Sequence, residues 1–378
     1  MRRPTLVQCG ALILGMLGVL VIAPFSVAAQ TRAEVAEAAR KASPRTGDEA
    51  MKFFEEEVAK KTAEAIARVY DPTKPPVSPA MRTPWGDPDL RGYWLSLSYT
   101  PLERPEKFAN KPLLTPQEAI EFFMAEVKQD AAVDPATVHY DWKEFGMDTW
   151  QSPVRPNRRS GLIIDPADGK LPPLSPEGQK RRAEAAAAAK KLDPQTGVST
   201  LPNLYTRCIT GNQGPPRLPF NHDSESQIFQ MPGYVLILTQ SNTDVRIIPL
   251  DGRPHLPQQI RPWLGDSRGR FEGNTLVVET TNFHPDRIWR GATGNLHLVE
   301  RFTRVDQDTI SYQITVSDPA TWTRPWTAEV PWPRIEPPLF EFACHEQNYG
   351  VINVVTGAQI RATEGVSDPR AGGGGNND

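Results

Sequence analysis

From Gln227 onward, short runs of alternating apolar and polar residues recur between turn residues, and nothing else in the chain constrains its fold as strongly. Tyr234-Val235-Leu236-Ile237-Leu238 is followed by Val245-Arg246-Ile247-Ile248-Pro249-Leu250 and the turn Asp251-Gly252. Arg270-Phe271-Glu272-Gly273-Asn274 is a turn-bearing hairpin that leads into Leu276-Val277-Val278-Glu279-Thr280-Thr281. Further runs cover 296–305, 309–316, 326–330 and 339–345. Alternation puts every second side chain on one face of a strand. Several short strands at regular spacing, with Asp, Gly and Asn turns, predict a barrel or sandwich. Successive hairpins make the pairing antiparallel.

The N-terminal half reads differently. Gln30 to Asp71 is rich in Ala, Glu and Lys. Phe53, Phe54, Val58, Ala65, Ile66 and Val69 predict an amphipathic helix that Asp71-Pro72 ends. Lys74 to Pro84 is proline-rich and reads as a linker. Gly86-Asp87-Pro88-Asp89 is a turn, and Leu90 to Leu95 starts a strand. Thr115-Pro116-Gln117-Glu118 starts a helix running to about Ala131, with Thr as cap and Glu118 reaching back to the cap amide. Ser175-Pro176 opens an Ala-rich helix through Leu192 that offers little apolar face and reads as a surface insertion. Proline, at 38 of 378 residues, is about twice its usual share and favours loops over long core helices.

The expected organisation is a signal peptide over 1–29, a helical arm and linker over 30–81, a β-rich domain over 82–367 and a disordered tail over 368–378. Helical insertions are expected near 115–131 and 175–192. Gly92-Tyr93-Trp94 resembles the Gly-X-Trp that opens lipocalin-like barrels. The predicted fold class is mainly β: an antiparallel β-barrel or lipocalin-like meander with helical insertions and an N-terminal helical arm.

The leader sets the compartment. Arg2 and Arg3 precede an apolar run from Ala11 to Ala23, and Val27-Ala28-Ala29 offers a cleavage site. The expectation is a periplasmic or secreted protein cut after Ala29. A retained anchor is the alternative, but the run is short against the about 20 residues a bilayer span needs. No later segment is long and apolar enough to span. A net charge of −3 gives no basic field for nucleic acid. Of three cysteines, Cys208 and Cys344 remain after cleavage, and in an oxidising compartment they are expected to pair. Two separate buried thiols are the alternative.

Candidate chemistry follows from the strand faces. Leu296, Leu298, Glu300 and Phe302 share one face of their strand, and Phe340, Phe342, Cys344 and Glu346 share one face of theirs. If these faces point inward, Glu300 and Glu346 are buried carboxylates, suited to acid–base work. The alternative is that each meets a buried arginine, such as Arg246 or Arg301, and pins strands. His345 and Glu346, with Asn348 and Tyr349, form the densest polar cluster near the expected disulfide. Glu300, His345 and Glu346 are therefore the catalytic candidates. Asn221, Asp244, Arg246 and Tyr349 are the ligand-binding candidates, Asn221 ending the rigid Pro215–His222 segment. Metal-ligand spacing is absent, as are a nucleophile elbow, a phosphate loop and a dinucleotide fingerprint, so no metal or cofactor is expected.

One set of motifs carries a family resemblance. It comprises Pro88-Asp89-Leu90-Arg91-Gly92-Tyr93-Trp94, Thr100–Pro105, Arg246–Arg253, Trp263–Gly269, Thr280–Phe283, Asp318–Trp326 and Ala343-Cys344-His345-Glu346. Over roughly residues 82–362 the chain resembles an uncharacterised secreted bacterial protein family of Acidobacteria and some Proteobacteria. The resemblance implies a shared fold and export, and no reaction. Relatives often carry Glu and His where this chain has Gln240 and Thr243, so a catalytic pair there would be altered.

These readings converge on a periplasmic protein that binds a small apolar or aromatic molecule in a β-barrel, with acid–base chemistry of a lyase, isomerase or hydrolase on that molecule as the catalytic variant of the expectation. The alternatives are a non-catalytic ligand-binding protein and a cell-envelope interaction protein. The expected partner is a small-molecule ligand, with no nucleic acid; the oligomeric state is not set by the sequence.

Overall fold

A computed structural model describes residues 59–60, 63–77, 80–131, 154–188, 204–210, 214–219, 224–287, 289–336, 339–346 and 348–364. The chain divides between Glu57 and Val58, and all described residues belong to the second unit. The expected signal peptide, most of the helical arm, the tail and Asn221 lie outside the described residues.

Ten strands form one sheet among the described residues: β1 (Gly92–Leu95), β2 (Ile163–Asp165), β3 (Glu225–Met231), β4 (Tyr234–Thr239), β5 (Val245–Pro249), β6 (Asp266–Glu272), β7 (Thr275–Thr281), β8 (His297–Asp306), β9 (Thr309–Ser317) and β10 (Trp326–Ile335). Their order is β5-β4-β3-β1-β10-β9-β8-β7-β6, and β2 pairs with β10. Two antiparallel meanders, β3 to β5 and β6 to β10, are thus joined by β1, which pairs with both β3 and β10. The helices α1 (Pro116–Ala131), α2 (Pro176–Ala188) and α3 (Gly350–Glu364) accompany the sheet. The predicted capping box of α1 forms: the Thr115 amide donates to Glu118 at 2.8 Å, and the Glu118 amide donates to Thr115 Oγ1 at 3.3 Å. Ser175 caps α2 by accepting the Gly178 amide at 3.0 Å.

Alternation builds the core. Leu298, Glu300 and Phe302 of β8 face the same side as Ile310, Tyr312 and Ile314 of β9 and Trp326, Ala328, Val330 and Trp332 of β10. Val235 and Ile237 of β4 and Ile228 of β3 continue that face, and Trp94 of β1 is wholly buried with them. The Trp94 indole donates to the Leu90 carbonyl at 2.9 Å, and the Arg304 guanidinium lies 5.5 Å from its ring centre.

The sheet curls around this face without closing, so the predicted barrel and simple meander are corrected. Nine strands follow one another in the path and every neighbouring pair is antiparallel, so the edge strands β5 and β6 run parallel. Closing the seam would need a parallel ladder between strands that no hairpin can join. Side chains fill it instead. Ile248 and Leu250 come within 2.7 Å of where a Cβ on Gly269 would lie, so β6 has no room there for a side chain. Gly269→Val is expected to cost about 1–3 kcal/mol by overpacking. An unchanged urea midpoint would show that the seam is loose.

The predicted strand at 339–345 is also corrected, because residues 339–346 contain no strand. Their alternation matches a strand, but pairing needs a free edge. β10 continues to Ile335 and is occupied by β9 on one side and by β1 and β2 on the other. Phe340 is left 73% exposed.

Candidate functional site

Antiparallel order puts the starts of β3, β5, β6, β8 and β10 at the same end of the sheet as the ends of β1, β4, β7 and β9. The buried polar residues of the inner face gather toward this end. Arg246 is the second residue of β5 and points inward, as Ile248 does, between the exposed Val245 and Ile247. It is 4% exposed, and Glu300 on β8 is fully buried. Arg246 donates from Nη2 and Nη1 to the two Glu300 oxygens at 2.6 and 3.1 Å. The same Nη2 lies 3.2 Å from both Ser267 Oγ on β6 and Thr280 Oγ1 on β7. One guanidinium on an edge strand thereby braces three strands across the open seam.

Tyr312 extends the cluster. Its hydroxyl donates to Glu300 Oε1 at 2.8 Å and accepts the Arg217 amide at 3.1 Å. Burial, then the Glu300 carboxylate, raises the Tyr312 pKa well above the usual phenol range, which keeps the hydroxyl a donor. The buried Arg217 guanidinium donates to the Ser224 carbonyl at 2.8 Å and to Ser96 Oγ at 3.3 Å, and it lies 5.9 Å from the Trp332 ring centre. Arg287, on the connection after β7, donates to the Pro215 carbonyl at 2.8 Å.

Two irregular segments are tied to the same end. Thr210 Oγ1 donates to Asp244 at 2.7 Å, and the Phe340 amide donates to the Gln240 side chain at 3.1 Å. A Cys208–Cys344 disulfide links the segments, with the Cα atoms 5.7 Å apart, as the cysteine count predicts. Asn348 joins them again, donating to the Thr206 carbonyl at 2.8 Å.

The structure therefore unites Glu300 with Arg246, and of the two arrangements the sequence allows it is the arginine-paired one. Asp244 is half-buried two residues before Arg246. His345, Glu346 and Tyr349 are exposed, so the inward placement expected of Glu346 is corrected. Without a strand at 339–346 its alternation does not assign a buried face. Among the described residues no hydrogen bond joins His345 or Glu346 to Glu300. No group of three or more His, Cys, Asp or Glu suited to a metal ion occurs among the described residues.

Sequence reasoning missed Tyr312, Arg217 and Arg287. Tyr312 was accessible to the alternation rule, sitting between Ile310 and Ile314 on the inner face. Arg217 lies within the Pro-lined segment singled out for Asn221. Arg287 lies on an irregular connection, where no period assigns a side chain to a face.

No family model, curated protein or solved structure matches the chain. The geometry therefore carries the functional argument alone.

A second buried carboxylate lies on the opposite face of β10. Glu329 accepts from Tyr70 at 2.6 Å, Arg159 at 2.5 Å and Gln313 at 3.1 Å. Burial, then the Glu329 charge, raises the Tyr70 pKa far above its usual range. These contacts fasten residues near 70 and 159 to the sheet. Both Glu329 oxygens are engaged in them.

Proposed function

We propose that this chain is an extracytoplasmic binding protein for a small apolar or aromatic molecule, held inside the curled sheet near the Arg246–Glu300 end. Membership of the secreted bacterial group and cleavage after Ala29 belong to the same proposal, and the disulfide is compatible with that location.

The observation that carries it is a set of buried inward donors. Among the described residues, the indole N–H groups of Trp326 and Trp332 and the Ser226 hydroxyl meet no hydrogen-bond partner. Such groups each cost about 1–3 kcal/mol when left unpaired in a folded protein, and a bound acceptor removes that cost. Aromatic rings adjoin the two indoles: Trp332 lies 4.6 Å from Tyr312 and 5.6 Å from Phe302, and Trp326 lies 6.1 Å from Trp289, centre to centre. An aromatic lining with a few fixed polar groups is the usual make-up of a small-molecule site.

The arrangement favours binding over turnover. Both Glu300 oxygens are engaged by Arg246, and one also by Tyr312, so the carboxylate is committed as a fixed acceptor. His345 and Glu346 are exposed on the tethered segment. Native mass spectrometry of the mature protein from its source periplasm tests the reading. The expected result is a mass excess of a few hundred daltons that organic extraction removes. An apo mass, together with no uptake from a panel of small aromatic and aliphatic compounds, would sink it.

A further inference from the structure

This inference rests on the binding reading above and names the chemistry of the ligand. Arg287 differs from the other two arginines of the cluster. Arg246 is matched by Glu300 in a two-bond pair, and Arg217 is held by carbonyl and hydroxyl acceptors. Arg287 is 7% exposed, yet among the described residues its side chain meets one acceptor, the Pro215 carbonyl. No carboxylate lies within ion-pair distance of it among the described residues. Its guanidinium carbon sits 5.5 Å from the Phe283 ring centre, which supports one face and leaves the planar fork of donors.

Arg287 is tied to the cluster through the Pro215 carbonyl, two residues before Arg217. Burial pushes the Arg287 pKa down to about 10, while Asp244 and Glu300 attract the cation and Arg246 repels it. It stays a cation at neutral pH. Asp244 accepts from Thr210, and Glu300 is taken by Arg246 and Tyr312. A buried cation without a matched anion is expensive to keep. A guanidinium edge fits a carboxylate through two parallel N–H···O bonds.

We propose that Arg287 is the anchor for a carboxylate on the ligand, so that the molecule taken up is an apolar or aromatic monocarboxylate and not a neutral one. The apolar body would face Phe283 and the aromatic interior, and the carboxylate would meet the unused edge of Arg287.

The test compares 2-naphthoate with its neutral isostere 2-naphthamide by isothermal titration. The intact, disulfide-bonded protein is used, together with Arg287→Gln and Arg287→Lys variants whose folding is checked by circular dichroism. Wild type is expected to prefer naphthoate by about 10- to 100-fold. Arg287→Gln should remove that preference, lowering naphthoate affinity about 10- to 100-fold more than naphthamide affinity. Arg287→Lys keeps the charge but loses the fork, so it should retain part of the preference; it also serves if the Gln variant fails to fold. Equal affinity for the two probes in wild type, or an undiminished preference in a folded Arg287→Gln protein, overturns the anchor while binding itself stands. Absence of binding by both probes, with an apo mass from the periplasm, overturns the binding reading and the anchor with it.

Discussion

Arg246→Met on its own is expected to destabilise the protein by about 3–5 kcal/mol, because it strands a fully buried Glu300 carboxylate without its cation. The companion change Glu300→Leu should cost a similar amount by stranding Arg246. The double variant, with two apolar side chains of comparable volume, should recover most of the loss or exceed wild-type stability by about 1–4 kcal/mol, because the desolvation cost of both ions disappears. Urea unfolding of the four proteins closes the cycle and yields the coupling energy. If the single losses simply add in the double variant, the two side chains do not act as a pair. Arg246 would then not brace the seam through Glu300. The cycle also bears on function. A double variant that is stable but has lost its ligand would show that this ion pair is kept for the ligand at a cost in stability.

The second large effect is expected from the disulfide. Cys208 and Cys344 are separated by 136 positions, and cross-linking so long a loop removes much of the freedom of the unfolded chain. The chain-entropy account gives about 5 kcal/mol for a loop of this length, and measured losses on removing native disulfides are typically about 2–5 kcal/mol. The Cys208→Ser/Cys344→Ser protein should therefore unfold at lower urea, as should wild type under reductant. The linked segments contribute no strand to the sheet, so local release is the competing outcome. Hydrogen exchange distinguishes the two. Loss of protection confined to 204–210 and 339–348, with the urea midpoint unchanged, would mean that the tether releases while the core stays intact.

The strand pattern was legible wherever one face of a strand is buried and the other is wet. β4, β5, β7, β8 and β9 emerge within a residue or two of their sequence-based limits, because apolar alternation and turn residues are local properties. The α1 cap was legible for the same reason, since Thr115 and Glu118 satisfy each other within one turn. The strand expected at 339–345 shows where that logic stops. Phe340, Phe342 and Cys344 have the right period, but a strand also needs a neighbour with a free edge, and β10 has none to offer there. β2 is three residues long, too short for any period to show.

The candidate site divides in the same way. Alternation alone put Glu300 on an inner face, and cysteine number alone suggested the Cys208–Cys344 bond. Which arginine meets Glu300 depends on the curl that brings β5 against β6, β7 and β8. That curl depends in turn on β1 joining β3 and β10, strands about 100 positions apart along the chain, as its pairing of Trp94 with both Ser226 and Arg334 shows. The sequence by itself determined a mainly β chain with capped helices, and it favoured a cysteine pair and an inward carboxylate, because period, capping and redox chemistry act over a few residues or on counts. Only the tertiary structure decided that the sheet stays open, that Arg246 neutralises Glu300, and that Arg287 is left buried with one acceptor among the described residues. Those outcomes depend on strand order and on close approaches between distant segments, such as Ile248 against Gly269, which no local pattern encodes.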